Sequence, residues 1–178
     1  FYIENQISLK CKLKECKKII EKYDFLVEDT EYKKIDSVKE LDVVCSEIEK
    51  GIFETDRIAL DPLFGIEIAN KRYSNWVCDL YNSGKSIYIT MYKGTPIGFI
   101  VFGDKNSKCL DGIVGGLYNN YKNSGLGHYW KICSAKIIMD SNKNAVTKVS
   151  SNNLDILKLH ESFGYTVTNI ESVFVKHF

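Results

Sequence analysis

The sequence lacks the features expected of membrane-spanning and nucleic-acid-binding proteins. No apolar run approaches the roughly 18 residues of a membrane span. The charges nearly cancel, with 24 Lys and Arg residues against 23 Asp and Glu residues and a net charge of +1, whereas nucleic-acid binders carry a clustered basic face. A local lysine cluster near the start is interspersed with Glu15 and Glu21, which predicts a solvated helix face. The cluster consists of Lys10, Lys12, Lys14, Lys17, Lys18 and Lys22. We therefore expect neither a nucleic-acid nor a membrane partner.

Cysteine pairs with metal-binding spacing are also missing. The six cysteines are scattered, none of them in a CxxC pair, and only three histidines are present, so we expect no metal site. A chain of 178 residues with 44% hydrophobic residues is long enough to bury a core without disulfides. This favours free thiols and a cytoplasmic location. The opening Phe-Tyr-Ile does not resemble a signal peptide, and what lies upstream of Phe1 is left open.

Hydrophobic periodicity predicts helices in the first half of the chain. Apolar residues at helical spacing predict a helix from Leu9 to Tyr23, and a possible strand follows over Asp24 to Val27. Ser37 is a suitable N-cap for a helix that Gly51 would end. A further amphipathic helix covers Ile66 to Tyr81.

The second half alternates between strands and helices. Residues with strand-like periodicity predict four strands and a closing hairpin: Ser86–Tyr92, Pro96–Phe102, Cys109–Tyr118, Ala145–Ser150, and Thr166–Thr168 with Val173–Lys176. Helices are predicted from Gly127 to Met139 and from Asn153 to Phe163. This order predicts an α/β fold with a mixed central sheet flanked by helices. We divide the chain into an N-terminal helical extension, residues 1–23, and one domain, residues 24–178.

A glycine-containing turn precedes the helix predicted from Gly127. In Lys122-Asn123-Ser124-Gly125-Leu126-Gly127, the glycines lack Cβ atoms, so backbone amides could approach a ligand. A helix N-terminus adds unpaired amide donors and a partial positive charge, which suits a pyrophosphate. The same turn could be only a tight connection. It is not the dinucleotide-binding fingerprint, because Trp130 stands where the third glycine would be.

A second segment, Asn153 to Tyr165, follows about thirty residues later. It reads as an amphipathic helix with Ile156, Leu159 and Phe163 packed inward and Gly164 as a C-cap. That interpretation explains the apolar spacing, but it assigns no role to Asn153 or His160.

Together the two segments resemble the GNAT superfamily of N-acetyltransferases. The acetyl-CoA motif of that family, Gln/Arg-x-x-Gly-x-Gly/Ala, is similar to Lys122-x-x-Gly125-x-Gly127, with Lys in the first position. Its later motif, an Asn, an apolar helix and Leu-Tyr-x-x-x-Gly-Phe, resembles Asn153 followed by Leu159-His160-x-x-x-Gly164-Tyr165. The resemblance covers about residues 24–178. It implies the GNAT fold and transfer of an acetyl group from acetyl-CoA to a primary amine, by direct attack in a ternary complex.

The resemblance also implies where acetyl-CoA would bind. A separation of two strands near Gly115-Gly116 would admit the cofactor, and a backbone amide near Leu117 would stabilise the oxyanion. Backbone groups of Leu117, Tyr118 and Asn119 would hold the pantetheine arm, and the Asn153 side chain would bond to it. The pyrophosphate would lie on the segment that runs from the motif lysine into the helix: Lys122, Asn123, Ser124, Gly125, Leu126, Gly127 and His128.

Two side chains are candidates for proton transfer. His160 stands where many relatives have Tyr, which is proposed to protonate the leaving CoA thiolate. A free imidazolium, with a pKa of about 6.5, would donate a proton downhill to a thiolate with a pKa of about 8.5. Alternatively, His160 is only a helix residue. Asp111 is a candidate base for the acceptor ammonium, because some family members carry a carboxylate at about this place; otherwise it is a solvated strand-end residue.

The acceptor is predicted from residues 56–77, which resemble the same stretch of amino-sugar N-acetyltransferases of the TDP-fucosamine type. Arg57 could pair with a nucleotide phosphate, and Tyr73 or Trp76 could stack on a sugar or base. Tyr73 and Trp76 could equally be core residues, since they lie on the apolar face of a helix. A nucleotide-linked amino sugar is the resulting acceptor prediction, for a monomer or homodimer.

Other functions remain open at this point. The acceptor could be another small-molecule or peptide amine. The absence of Tyr at position 160 would also suit a non-catalytic acyl-CoA sensor on a GNAT fold. A third possibility is an interaction module that docks through the helix predicted from Leu9 to Tyr23.

Overall fold

A computed structural model describes residues 2–177, which form a mixed sheet with helices on both faces. The seven strands of the described chain are β1 (Tyr2–Cys11), β2 (Thr30–Lys34), β3 (Ser86–Tyr92), β4 (Thr95–Asn106), β5 (Cys109–Leu117), β6 (Asn144–Ser150) and β7 (Thr166–Phe174). The helices are α1 (Leu13–Lys22), α2 (Asp24–Val27), α3 (Val38–Glu49), α4 (Gly65–Asn82), α5 (Gly127–Ser141) and α6 (Leu154–Ser162), with a 3-10 turn over Asn119–Tyr121. None of these helices has the length and apolarity to cross a bilayer.

The strands follow the order β2-β3-β4-β5-β6-β1-β7 across the sheet. Neighbouring strands are antiparallel except for β5 and β6, which are parallel. The one parallel pair therefore lies in the middle of an otherwise antiparallel sheet, and α5 connects its two strands. This confirms the predicted α/β fold with a mixed central sheet.

Two hydrophobic cores lie on opposite faces of the sheet. On one face, Trp130 and Ile132 of α5 pack with Ile100 and Phe102 of β4, and α1 adds Cys16. We call this the α5 face. On the other face, α3 and α4 pack against β3 and β4 through a second group of buried residues, which we call the α3/α4 face. That group includes Val44, Ile48, Val77, Ile87, Phe99 and Val101.

The start of the chain differs from the prediction. The helix predicted from Leu9 begins at Leu13, and Leu9 and Cys11 belong to β1, where both are buried. β1 lies between β6 and β7, so residues predicted as a helical extension supply a strand inside the sheet. The strand predicted over Asp24–Val27 is the short helix α2.

The start of α3 follows the prediction, whereas β7 and β2 differ from it. Ser37 caps α3, with its side chain accepting a hydrogen bond from the Glu40 amide. The predicted closing hairpin is a single strand, β7, because its antiparallel partner is the distant β1 rather than a neighbouring segment. β2 falls in a stretch between Val27 and Ser37 for which the sequence predicts neither helix nor strand.

Candidate active site

The parallel strands β5 and β6 separate part of the way along the sheet. They pair from Cys109 to Gly112, and Gly112 is opposite Thr147 at the last pair. Within the described sheet, Ile113–Leu117 of β5 has no β6 partner, whereas the end of β6 stays paired with β1. A register shift makes Ile113 an extra residue against β4, and such a bulge bends a strand. The result is a cleft that opens from Gly112 towards the C-terminal ends of β5 and β6. The resemblance implied a separation near Gly115-Gly116, which lies within the unpaired part of β5.

Close packing of β4 and β5 forms one wall of this cleft. A Cβ atom on Gly115 would lie 2.7 Å from the Phe99 carbonyl oxygen, so only glycine fits there. The Tyr118 amide donates to Ile97 of β4 at 2.8 Å. Because successive amides of an extended strand point to opposite edges, the Leu117 amide faces the cleft. A strand edge with unpaired amides inside a sheet suits an extended amide-bearing ligand such as a pantetheine arm.

The predicted pyrophosphate loop lies at the open end of the cleft. Asn123 and Gly125 both have positive φ, 58° and 81°, and Gly127 begins α5. Among the described residues, the amides of Gly125, Gly127 and His128 have no acceptor. Amides converging at a helix N-terminus form an anion-binding concavity. This geometry fits the sequence prediction for the loop, whose ligand stays a prediction.

Lys122, the first residue of the motif, has partners within the protein. Its ammonium donates to the Gly51 carbonyl oxygen at 2.6 Å and forms an ion pair with Glu54. Its charge is therefore already balanced by a carboxylate from the loop between α3 and α4. Tyr118 is similarly occupied, because its amide binds Ile97 and its carbonyl accepts from Tyr121. Of the predicted pantetheine-binding amides, those of Leu117 and Asn119 remain without an acceptor in the described chain.

The loop between α3 and α4, residues 50–64, crosses the sheet edge at which the cleft opens. We call it the crossing loop. It contacts Lys122 after β5, and the Thr55 carbonyl accepts a hydrogen bond from Ser150 at the end of β6 at 3.4 Å. Farther along, Arg57 reaches β1 and Asp61 lies 3.1 Å from His177 beyond β7. The loop therefore borders the open end of the cleft.

Arg57 is committed to a buried carboxylate. Its Nη1 atom lies 3.5 Å from Oε1 of Glu4, and Glu4 is only 2% exposed. An unpaired charge in that environment would be costly, so Arg57 is required to neutralise Glu4. The sequence did not indicate this partner, which lies 53 positions earlier.

Tyr73 and Trp76 pack within the protein. Tyr73 stacks on Phe53 with ring centroids 3.9 Å apart, and Trp76 lies 5.8 Å from Tyr73. Burial, together with the nearby Asp56 carboxylate, raises the pKa of Tyr73. Both rings are partly buried against the α3/α4 core. These contacts favour the core interpretation of Tyr73 and Trp76; their role in acceptor binding stays a prediction.

The structure gives Asn153 a local role. Its Oδ1 atom accepts a hydrogen bond from the Ile156 amide at 3.3 Å, so Asn153 is the N-cap of α6. The side-chain amide nitrogen remains available, which is compatible with the predicted bond to pantetheine.

His160 is a buried, neutral side chain rather than the cation assumed from the sequence. It is 5% exposed, its Nδ1 atom lies 2.8 Å from the Ile156 carbonyl oxygen, and its ring packs edge-on against Tyr165 at 4.7 Å. Burial, reinforced by Lys131, lowers the pKa of His160 to about 3. An imidazolium is therefore not available at neutral pH, and the downhill proton donation inferred from the sequence does not apply to this environment. The packing supports the interpretation of His160 as a structural helix residue.

Asp111 lies beside the point where the strands separate. It is on β5, one residue before Gly112, and is opposite Gly103 on β4 and Val146 on β6. Its side chain is partly exposed and has no hydrogen-bond or ion-pair partner among the described residues. A free carboxylate at the inner end of the cleft is suitably placed to accept a proton.

A buried polar cluster on the α5 face was missed by sequence reasoning. Lys131 is 2% exposed and its ammonium lies 4.0 Å from the Tyr165 ring centroid, and the Cys11 and Cys16 sulfurs are 3.3 Å apart nearby. Burial lowers the pKa of Lys131 to about 7. Nothing in the sequence indicated that this lysine is buried, because a lysine in a helix normally lies on the exposed side of that helix. Elsewhere, residues 2–177 contain no cluster of three or more His, Cys, Asp or Glu side chains arranged to hold a metal.

Comparison with known proteins identifies the fold. No protein-family model matches the chain, and no curated protein has significant sequence similarity to it. Three solved structures illustrate the structural likeness. A conserved protein of unknown function from Staphylococcus epidermidis superposes with a TM-score of 0.62 and 12% identity, over 94% of this chain and 59% of that one. The Campylobacter jejuni N-acetyltransferase PseH superposes with a TM-score of 0.51 and 17% identity, over 79% of this chain and 90% of that one. A GNAT family acetyltransferase from Elizabethkingia anophelis with acetyl-CoA bound superposes with a TM-score of 0.53 and 13% identity, over 79% of this chain and 78% of that one.

These likenesses concern architecture. The chain has the GNAT fold, with its mixed sheet opened between two parallel strands. It spans about three fifths of the length of the S. epidermidis protein. At such low identities the comparisons establish the fold, and the activity has to be argued from the site.

Proposed function

We propose that this chain transfers an acetyl group from acetyl-CoA to a primary amine. One observation carries the proposal: the cleft between β5 and β6 and the loop with unpaired amides lie at the same end of the sheet. The cleft would take the pantetheine arm, with the Leu117 amide facing it, and the loop would take the pyrophosphate. The free carboxylate of Asp111 lies where the cleft closes, at the depth the thioester would reach.

The reaction is a direct transfer between two bound substrates. Asp111 accepts a proton from the acceptor ammonium, and the free amine attacks the thioester carbonyl carbon. A carbon–nitrogen bond forms, and the resulting oxyanion is stabilised by a backbone amide such as that of Leu117. The attacking nitrogen gives its second proton to solvent, the carbon–sulfur bond breaks, and the amide and the thiolate separate. Because the thiol of CoA has a pKa of about 8.5, its thiolate can leave without being protonated first and takes a proton from solvent afterwards. His160 is therefore not required as an acid.

For the acceptor we propose a nucleotide-linked amino sugar. The crossing loop borders the α3/α4 face of the cleft, with Ile52 beside Gly116, and an acceptor would approach Asp111 from this face. Because Arg57 is bound to Glu4, recognition of the acceptor's phosphate needs a different group.

Mass spectrometry of the products tests this function. The purified chain would be incubated with acetyl-CoA and a panel of amines: amino-6-deoxy sugars on TDP and UDP, amino acids, polyamines and peptides. We expect a gain of one acetyl group on a nucleotide-linked amino sugar. Acetylation of another amine would support the transferase and overturn the acceptor, whereas tight acetyl-CoA binding without any product would indicate a sensor.

Substitution of Gly125 tests the cofactor loop separately. We expect Gly125→Asn to weaken acetyl-CoA binding about tenfold or more, roughly 1.4 kcal/mol, because a side chain there crowds the approach of the pyrophosphate. Gly84→Asn is the matched control, since Gly84 has a similar φ of 79° and equally open surroundings but lies after α4. Isothermal titration calorimetry would compare both with the wild type. Equal affinities for Gly125→Asn and Gly84→Asn would contradict the assignment of the loop.

A further inference from the structure

A groove lies on the α3/α4 face at the other end of β5 and β6, where the hairpin between β4 and β5 turns. Its volume is about 500 Å³, and its lining includes Lys10, Lys105, Ser107, Lys108, Cys109 and Val146. The groove is at the N-terminal end of β5, whereas the predicted pyrophosphate loop follows the C-terminal end of that strand. It is therefore distinct from the site proposed for acetyl-CoA.

The charge of the groove's lining is positive. Lys10, Lys105 and Lys108 line it, and none of the three forms an ion pair with any described residue. Of the acidic residues around it, Asp104 is paired with Lys143 and Glu171 with Lys148, whereas Asp111, opposite Val146, is unpaired. Three unpaired ammonium groups around one concavity create a local potential that favours an anion.

The groove lies next to the inner end of the cleft, because its lining residue Val146 is paired with Asp111. Lys10 of β1 is opposite Val146 of β6, and Val146 is opposite Asp111 of β5, so the three residues form one row across the sheet. Residues paired in this way project from the same face. Since neighbouring strands are about 4.8 Å apart, the Lys10 and Asp111 backbones are separated by about 10 Å. The spacing is comparable with the distance between an amine and a phosphate in one small molecule.

We propose that this lysine groove binds a phosphate or diphosphate group of the amine acceptor. The inference rests on the proposed function, because it places the acceptor amine at Asp111 and its phosphate about 10 Å away. Three lysines match the charge of a diphosphate, and lysine is a common phosphate ligand. The groove thus supplies the recognition that Arg57, engaged with Glu4, does not.

Binding of TDP, a nucleoside diphosphate without an amine, tests the groove independently of turnover. TDP would be titrated by calorimetry into protein saturated with acetyl-CoA, so that the cofactor loop is occupied. The groove variant would be Lys10→Gln, Lys105→Gln and Lys108→Gln together. The matched control would carry Lys17→Gln, Lys34→Gln and Lys39→Gln, three exposed lysines that also lack an ion pair among the described residues.

We expect the groove variant to bind TDP at least tenfold more weakly than the wild type, and the control to bind normally. Added salt should weaken wild-type binding, because the interaction is between charges. Equal TDP affinity in all three proteins, or no binding to the wild type, would overturn the proposal. Acetyl-CoA affinity and turnover of amines without phosphate report on the proposed function. Unchanged TDP affinity in a protein that still acetylates such amines would overturn the groove assignment alone, whereas loss of acetyl-CoA binding and turnover in the wild type would overturn the transferase assignment.

Discussion

Lys131→Met is expected to stabilise the protein by about 2 to 4 kcal/mol at pH 7. Lys131 is 2% exposed on α5, and no described carboxylate forms an ion pair with it. Burial lowers its pKa from 10.5 to about 7, so the folded state holds its proton less tightly than the unfolded state does. A difference of that size costs several kcal/mol at neutral pH, and the contact of the ammonium with Tyr165 offsets part of it. Met has a similar length and needs no hydration.

The pH dependence provides a second signature of the same group. Because the folded-state pKa of Lys131 is depressed, the unfolded chain binds more protons between pH 7 and 10.5. Wild-type stability should therefore rise with pH across that range by up to about 1.4 kcal/mol per unit from this group, and the rise should be absent in Lys131→Met. Because the ammonium also favours ionisation of the neighbouring thiols of Cys11 and Cys16, the difference between the two curves reports Lys131 together with its effect on those thiols.

Urea denaturation at several pH values would measure both effects. Lys136→Met on the same helix is the control, because Lys136 is partly exposed and donates to the Thr30 carbonyl oxygen at 2.6 Å. The control should gain no stability and should keep the wild-type pH dependence. A Lys131→Met protein no more stable than the wild type would mean that the cluster accommodates the ammonium in its charged form.

Local signals in the sequence predicted much of the fold. The Ser37 cap, the apolar face of α4 and the glycines before α5 each act within a few residues of their own position. β1 was missed because its partners are about 140 to 170 residues away, and Leu9 and Cys11 also fit a helical period that continues into α1. Strand pairing over such separations cannot be inferred from the residues within the strand alone.

The candidate site shows the same limit. The positions of the cleft and the loop were expected from the resemblance, which rests on residues close together in the sequence, and glycines lie at both places in the structure. The environments of Arg57 and His160 could not, because each depends on a distant contact: Glu4 in one case, Tyr165 and the packing around it in the other. The lysine groove joins residues from β1, the β4–β5 hairpin and β6, which no sequence motif connects.

Asp111→Asn is expected to slow acetyl transfer about 100-fold at saturating acceptor, with acetyl-CoA affinity unchanged. The amide has the shape of the carboxylate but cannot accept the proton of the acceptor ammonium, and a positioned general base typically contributes 10² to 10⁴ in rate. Stability should be unaffected, because no described residue bonds to the Asp111 side chain. The rate would be measured as product formed under saturating acetyl-CoA with the acceptor that the amine panel identifies.

Asp104→Asn separates this role from a general effect of negative charge. Asp104 is on β4, opposite Leu110, the residue next to Asp111, and it is exposed in an ion pair with Lys143. Losing that pair should cost about 1 kcal/mol of stability or less and leave the rate unchanged. If both variants slow transfer equally, the carboxylates act only through the local potential. If Asp111→Asn raises KM and leaves kcat intact, Asp111 binds the ammonium without removing its proton. A loss in kcat confined to Asp111→Asn identifies the carboxylate where β5 and β6 separate as the base, and fixes the direction from which the amine approaches the thioester.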